Sequence, residues 1–544
     1  MTPAARFAQW HADDDSPSRA DQYRDLIPLS LPRPGEQYAF EVDLDACSGC
    51  KACVVACHEL NGLEESETWR SVGLLHGGSD ALPVLQHVTT ACHHCLEPAC
   101  LAGCPVHAYE KDPRTGIVRH LDDQCIGCQY CILQCPYDVP QYSRAKGIVR
   151  KCDMCHGRLA AGEAPACVQA CPTSAIRITL VSREQIREES EANLFLPGAP
   201  EPGYTLPATV YKTKRPLPRN LLPADYYSIS RQHAHLPLVF MLVLTQMSVG
   251  TFLVDQLLGW LPAAGREALS ADARAVQCLA AFLLGVLGLA ASVLHLGRPQ
   301  YAFRALLGLR TSWLSREILA FSVFAALATI YAVQPWLDVW PALAADGARR
   351  VLGLMVAASG LAAVLCSVMI YASTRRPFWN APWTGLKFLL TAGLLGIPAA
   401  LLIWLVAATV TPGLSVPRTM AAFGGTLCAG LAGLTLLKLL TEAAVFVFLA
   451  AARFTPLKRT AALLTGDLGP LTFQRFAMGL AGGVLLPLTL ALANWQADQP
   501  PLAAAFVLCA VGLSLVLLLV GELLERYSFF AAVVAPKMPG APAS

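Results

Sequence analysis

At 544 residues, 54% hydrophobic and only 15% charged, the chain is too apolar to consist of soluble domains alone, and much of it must lie in a membrane. Its mean hydropathy of +0.46 agrees. A formal net charge of +2 leaves no basic footprint for nucleic acid, which is excluded as a partner.

Residues 1–40 carry Asp13-Asp14-Asp15, several prolines and no apolar run. They match neither a signal peptide nor a twin-arginine export signal and are expected to form an arm. Residues 41–185 then hold sixteen of the twenty cysteines in four runs. The runs are Cys47, Cys50, Cys53, Cys57; Cys92, Cys95, Cys100, Cys104; Cys125, Cys128, Cys131, Cys135; and Cys152, Cys155, Cys167, Cys171. The first and third have the C-x2-C-x2-C-x3-C spacing that bacterial ferredoxins use for [4Fe–4S] clusters. Two intervening residues let one tight loop curl three thiolates around a cubane, and the fourth thiolate must come from elsewhere. Pro105, Pro136 and Pro172 follow the last cysteine of three runs, where proline stops a helix from continuing into the cluster.

In ferredoxins the fourth cysteine of a run ligates the other cluster. Crossing runs one with four and two with three predicts four clusters. These are Cys47, Cys50, Cys53, Cys171; Cys152, Cys155, Cys167, Cys57; Cys92, Cys95, Cys100, Cys135; and Cys125, Cys128, Cys131, Cys104. Spacing alone also admits pairing of neighbouring runs. Sixteen cysteines in runs of four overshoot what zinc requires, and nothing marks the secretion that a disulfide scaffold needs. Cys152-Asp153-Met154-Cys155-His156 matches the c-type haem signal, but haem there would orphan Cys167 and Cys171. Cys278, Cys366, Cys428 and Cys509 lie in apolar runs and read as small hydrophobes.

Short β-prone stretches at 37–42, 116–118 and 175–178 flank the cysteine loops. They predict a small α+β, ferredoxin-like poly-cluster domain in which clusters replace much of the core. The third run repeats the first, as in a duplicated ferredoxin unit. Residues 186–232, dense in proline, read as a semi-rigid linker. From 233 to 530 eight apolar runs suit an all-α membrane bundle, at roughly 236–258, 275–295, 317–334, 351–371, 385–408, 421–452, 473–493 and 502–524. Residues 531–544 form a tail. Gly479 and Gly483 make a G-x-x-x-G, whose simplest meaning is close helix packing.

Eight spans return the chain to its starting side, so positive charges can be summed by side. The cluster-domain side holds Lys212, Lys214, Arg215, Arg219, Arg231, Arg298, Arg304, Arg310, Arg316, Arg375, Arg376, Arg453, Lys458, Arg459, Arg475 and Arg526. The far side holds only Arg266, Arg274, Arg349, Arg350 and Arg418. This bias places the cluster domain in the cytoplasm of a bacterial inner membrane.

Ionisable groups in the lipid zone are functional candidates by default. His295 ends span two, Glu317 opens span three, Lys438 and Glu442 stand i, i+4 on span six, and Glu522 and Glu525 end span eight. All fall in the half near the cluster domain. A quinone head group needs a donor, an acceptor and a proton route, which a histidine and a carboxylate at the bilayer edge supply. His295 and Glu317 are the first candidates, and Lys438, Glu442 and Glu522 the next. The competing readings are an interfacial cap for His295, a helix N-terminal carboxylate for Glu317 and a structural ion pair for Lys438–Glu442. The membrane part has only His233, His235 and His295, all at one edge, so stacked mid-membrane haems are not expected.

The strings Cys125-Ile126-Gly127-Cys128-Gln129-Tyr130-Cys131 and Lys151-Cys152-Asp153-Met154-Cys155 resemble the four-cluster iron–sulfur subunits of the dimethyl sulfoxide reductase superfamily. His295-Leu296-Gly297-Arg298-Pro299, Ser315-Arg316-Glu317-Ile318 and His235-Leu236-Pro237-Leu238 resemble its eight-helix membrane anchor. The chain therefore looks like a fusion of two subunits that are separate in most relatives. By this resemblance His295 and Glu317 match anchor positions implicated in quinol binding, and a separate molybdopterin subunit carries the substrate chemistry. The charge bias favours the sulfite-oxidising, cytoplasmic branch. A quinol-oxidising dimethyl sulfoxide-type subunit is one alternative, and a cluster-regulated membrane sensor or transporter is another.

Overall fold

A computed structural model describes residues 24–260, 270–337, 346–412, 414–493, 495 and 501–540, with 2, 3, 5, 6 and 9 near the start. Asp13-Asp14-Asp15 and Arg266 lie outside the described residues. The chain forms two compact units, Met1–Ser228 with Pro536–Ser544, and Ile229–Ala535.

The first unit is built on short strands: β1 Glu36–Asp43, β2 Ser71–Gly78, β3 Pro83–Thr90, β4 Tyr109–Lys111, β5 Val118–His120, β6 Gln141–Ser143, β7 Ile148–Arg150, β8 Ile176–Ser182, β9 Val210–Lys212 and β10 Leu222–Pro223. β1 is central, antiparallel to β8 and parallel to β9. It is buried at six successive positions, as expected of a strand covered on both faces. β2 pairs with β3 and β10, while β4–β5 and β6–β7 are isolated two-stranded pairs. The proline-rich segment starts on a helix, Arg183–Glu191, and then supplies β9 and β10.

Cys53, Cys57, Cys92, Cys95, Cys152 and Cys167 belong to the buried core with Phe40, Val42, Leu75 and Val88. The α+β expectation holds, and thiols occupy positions that aliphatic side chains fill elsewhere. Met538 joins this core, and Lys537 Nζ lies 2.6 Å from Asp225 Oδ2, so this segment packs into the first unit.

The second unit is all helical. Eight helices among the described residues are long and apolar enough to cross a membrane: Leu236–Leu258, Ala271–Val293, Trp313–Leu337, Gly347–Ala372, Ala381–Val410, Val416–Ala450, Gly469–Leu492 and Leu502–Ala531. They match the eight expected runs. The last continues well past 524, because Phe529, Phe530 and Ala531 prolong its buried face. Glu522 and Glu525 therefore sit inside span eight and not at its end.

Spans one and five touch backbone to backbone. A Cβ on Gly396 would come 2.2 Å from the Gly250 carbonyl carbon, so neither position accepts a side chain without separating the helices. Gly483 likewise packs on span six, where a Cβ would meet Thr435 at 2.5 Å. It lies in a π-helical turn, Gly479–Leu485.

Candidate functional site

The cysteine loops share a local design. After each Cys-Pro the chain turns through a left-handed residue three positions beyond the cysteine: His107 (φ 54°), Asp138 (φ 56°) and Ser174 (φ 51°). That turn aims the next backbone N–H back at the sulfur. Ala108 N donates to Cys104 Sγ at 3.2 Å and Ala175 N to Cys171 Sγ at 3.3 Å. The first run lacks the proline, and a helix, Ala52–Asn61, continues through Cys57. There Asn61 Nδ2 takes the place of the backbone donor, 3.6 Å from Cys57 Sγ. At the opposite end of the loops, left-handed Gly49 and Lys51 flank Cys50, and Gly127 and Gln129 flank Cys128. These reversals curl the loop so that its thiols converge.

Buried thiols from different runs raise one another. Burial first, and then Cys53, Cys171 and Cys50, raise the Cys47 thiol. Burial and then Cys167 and Cys155 push Cys57 up to about 12. Burial and then Cys92 and Cys135 push Cys95 up to about 12. Burial and then Cys104 and Cys125 raise Cys128. These four examples join runs one with four and two with three, while Cys53 also acts on Cys167 and Cys92 on Cys152. Cys47, Cys50, Cys53 and Cys171 line a cavity of about 290 Å³, and Cys92, Cys95, Cys100 and Cys135 one of about 370 Å³.

Among the described residues no three His, Cys, Asp or Glu side chains are arranged to hold a single metal ion, and every cysteine is a free thiol. Crowded buried thiols keep their protons at neutral pH, and iron, whose charge draws thiols into thiolates, fits such a donor set.

The sets are linked in sequence by buried side chains that spacing did not reveal. Arg70, 2% exposed, is electrostatically tied to Cys167, Cys53, Cys152 and Cys57 and so lies between the first and second sets. Lys151 donates to Cys92 Sγ at 3.5 Å and to the Cys152 carbonyl at 2.9 Å, between the second and third. Tyr109 lies beside Cys131, Cys100 and Cys104, between the third and fourth. Burial raises the Cys125 thiol, but a hydrogen bond from His120 brings it below its usual value.

In the helical unit, the imidazoles of His295 and His235 meet edge to face at 4.5 Å, and His235 meets His233 at 4.8 Å. Burial, reinforced by the two neighbouring imidazoles, pushes His235 down to about 3, so it is neutral at physiological pH. Glu317 is buried and accepts from Ser367 Oγ of span four.

Lys438 and Glu442 are only loosely paired, at 3.8 Å. Each has a better partner. Lys438 Nζ donates to Glu522 and to Thr391 Oγ1, while Arg475 forks onto Glu442 at 2.9 and 3.0 Å and reaches Glu522 at 2.7 Å. Lys387 faces Glu525 at 3.7 Å. Arg526 faces Glu525 at 3.4 Å and donates to Gln246 at 3.1 Å. The four cations and three carboxylates form one buried lattice across spans five to eight. Lys387 was missed from sequence, although a lone lysine inside an apolar run was its visible signal. Asp255 was missed too. It accepts from Arg274 Nε at 2.6 Å and Tyr331 Oη at 2.6 Å near the other end of span one.

Thiol quartets in one unit and eight apolar spans in the other define an iron–sulfur electron-transfer module joined to a polytopic membrane anchor. Residues 84–180 match the family model "4Fe-4S dicluster domain" and residues 230–532 match "DMSO reductase anchor subunit (DmsC)". The chain belongs to the DMSO reductase anchor subunit family, here fused to its iron–sulfur partner module. Over 168 residues it is 34% identical to the B subunit of the anaerobic dimethyl sulfoxide reductase of Haemophilus influenzae, covering 29% of this protein and 82% of that one. The B subunit of the Escherichia coli K12 anaerobic dimethyl sulfoxide reductase is 33% identical over 184 residues, 32% of this protein and 88% of that one. "Thiosulfate reductase electron transfer subunit PhsB" of Salmonella typhi is 38% identical over 154 residues, 28% and 80% of the two proteins.

Proposed function

We propose that the chain carries electrons between a molybdopterin catalytic subunit and the quinone pool of a bacterial inner membrane, through four [4Fe–4S] clusters on the cytoplasmic side. The observation that carries this reading is the ordering of the thiol sets, each joined to the next by a shared buried side chain. When bound, the clusters supply one-electron carriers. The protein's own part is to hold them with Cys47, Cys50, Cys53, Cys171; Cys57, Cys152, Cys155, Cys167; Cys92, Cys95, Cys100, Cys135; and Cys104, Cys125, Cys128, Cys131. Arg70 and Lys151 offset the negative charge that builds up between neighbouring sets.

At the membrane, His295 binds the quinone head group and the neutral His235 beside it relays protons, while Glu317 provides the carboxylate of the site. Lys438 and Glu522, sealed inside the lattice, act on quinone only by fixing the helices. The sulfite-oxidising direction rests on the distribution of lysine and arginine. The opposite direction, quinol oxidation for a reductase, is the second reading and draws support from the names of the relatives, which are reductase subunits.

The test is made on anaerobically purified complex. Sixteen iron and sixteen acid-labile sulfide per chain are expected, with a molybdenum protein co-purifying. His295→Ala abolishes quinone turnover and leaves the cluster spectra intact. Iron well below sixteen, or unchanged turnover in the variant, removes the corresponding part of the reading.

A further inference from the structure

The buried lattice borders a half-open cleft whose empty space, its open mouth included, is about 480 Å³. Its polar wall includes Lys387, Glu442, Thr472, Arg475 and Glu525 beside Thr441 and Ser528, and Trp383, Phe446 and Phe476 are among its apolar walls. We propose that this cavity is a second quinone head-group site, distinct from the one at His295. The inference rests on the reading that the chain exchanges electrons with quinone.

Three observations point to that occupant. First, unspent hydrogen-bond donors line the cavity. Arg475 is 3% exposed and its Nη1 has no partner, nor has the buried Thr472 Oγ1. A carbonyl oxygen is the kind of acceptor that each lacks, since neither is left unsatisfied in a membrane interior without cost. Second, the lattice holds Lys387, Lys438, Arg475 and Arg526 against Glu442, Glu522 and Glu525. Four cations against three carboxylates leave one positive charge, which favours an electron-rich oxygen. A phosphate would also answer that charge, but Glu442 and Glu525 stand on the same wall and oppose it. A neutral dicarbonyl ring meets no such repulsion. Third, the indole and phenyl walls suit a flat ring, which they can stack or meet edge-on.

Depth separates the two sites. Lys387 lies six residues into span five, Arg475 six into span seven, and Glu525 six before the end of span eight. At 1.5 Å per residue that is roughly 9 Å below one edge of the bundle. His295 lies two residues beyond the end of span two, at the edge itself. Alternation of the spans puts both on the same side of the membrane.

The experiment uses the intact complex in detergent, a photoactivatable azido-quinone and peptide mapping. Two labelled regions are expected, one at His295 and one within 441–446 and 472–476. Excess unlabelled quinone should compete at both. His295→Ala should remove only the first. Thr472→Val should weaken labelling of the second about tenfold, the value of one hydrogen bond, and retained labelling at His295 reports that the helical unit of the variant is folded. Labelling at His295 alone overturns this inference and leaves the quinone reading standing. Loss of all labelling overturns both. Displacement of the second label by phosphatidylglycerol but not by quinone assigns the cavity to lipid and also overturns it.

Discussion

Lys151 stands between the second and third thiol sets, and its charge should be measurable in the potentials of the clusters held there. Its ammonium is 3.5 Å from Cys92 Sγ and also interacts with Cys100 and Cys152. A full unit charge at that separation and an effective dielectric of about 20 would interact by about 5 kcal/mol. An added electron spreads over the whole cluster, so a quarter to a half of that reaches the lysine. The result is about 1–2 kcal/mol, or roughly 50–100 mV for one electron. Lys151→Met keeps the length of the side chain and removes the charge and the sulfur hydrogen bond. Both losses disfavour the more negative, reduced state, so the midpoint potential falls. Redox titration followed by electron paramagnetic resonance should show two of the clusters shifted downward by that amount and the others within about 20 mV of their original values. An upward shift, or an equal shift of all clusters, would falsify the placement of Lys151 between the second and third sets.

The lattice of spans five to eight offers a second test. Glu522→Gln leaves Lys438 without its main buried partner and should cost about 3–5 kcal/mol. Adding Lys438→Met should recover part of that loss in thermal unfolding of the solubilised protein, whereas additive losses would show that the two side chains do not act as a pair. Gly396→Val forces spans one and five apart and should cost at least the 1–3 kcal/mol of ordinary overpacking, read as a lower unfolding temperature with cluster content unchanged per folded molecule. The exposed Lys212, Lys214 and Arg215 make a topology probe. Trypsin should cut there in inside-out vesicles only, and cleavage in right-side-out vesicles would reverse the assigned orientation.

How much of this was legible in the sequence depended on the range of the interaction. Spacing within a cysteine run is local, and so is the hydropathy of a span, and both could be read directly. The distribution of thiols between runs could be framed as a crossing rule because the first and third runs repeat one motif. Arg70 and Lys151 could not be found that way. Their roles arise from tertiary packing across 19 residues to Thr89 and 59 to Cys92, and a buried cation beside a thiol leaves no periodic trace. The Lys438–Glu442 pairing holds at 3.8 Å but is only part of the arrangement, for the complementary reason. The i, i+4 rule describes an isolated helix surface, but inside a bundle Glu522 and Arg475, from other spans, offer shorter contacts. The left-handed residues after each Cys-Pro were also invisible, because His107, Asp138 and Ser174 share no side-chain type. What they have in common is a backbone reversal set by the N–H that must reach the sulfur or its loop.

The number of spans and the path of the chain constrain each other. Residues up to 228 and residues from 536 onward belong to one compact unit, and Met538 is part of its core. Both connections to the helical unit must therefore emerge on one side of a membrane, which only an even number of crossings permits. Eight spans satisfy this, and seven or nine would tear Met538 from the core it fills. The fusion thus fixes more than the one-to-one ratio of two modules. It gives the cluster unit two covalent ties to the anchor, and truncation after Ala535 should remove one of them. Burial of Met538 and the Lys537–Asp225 pair would be lost, at a cost of about 2–3 kcal/mol for the methionine and up to about 1 kcal/mol for the partly exposed ion pair. The loss should register as cluster bleaching at lower temperature while the spans stay folded. If bleaching and helix unfolding instead shift together, the tail is stabilising the anchor and not the cluster core.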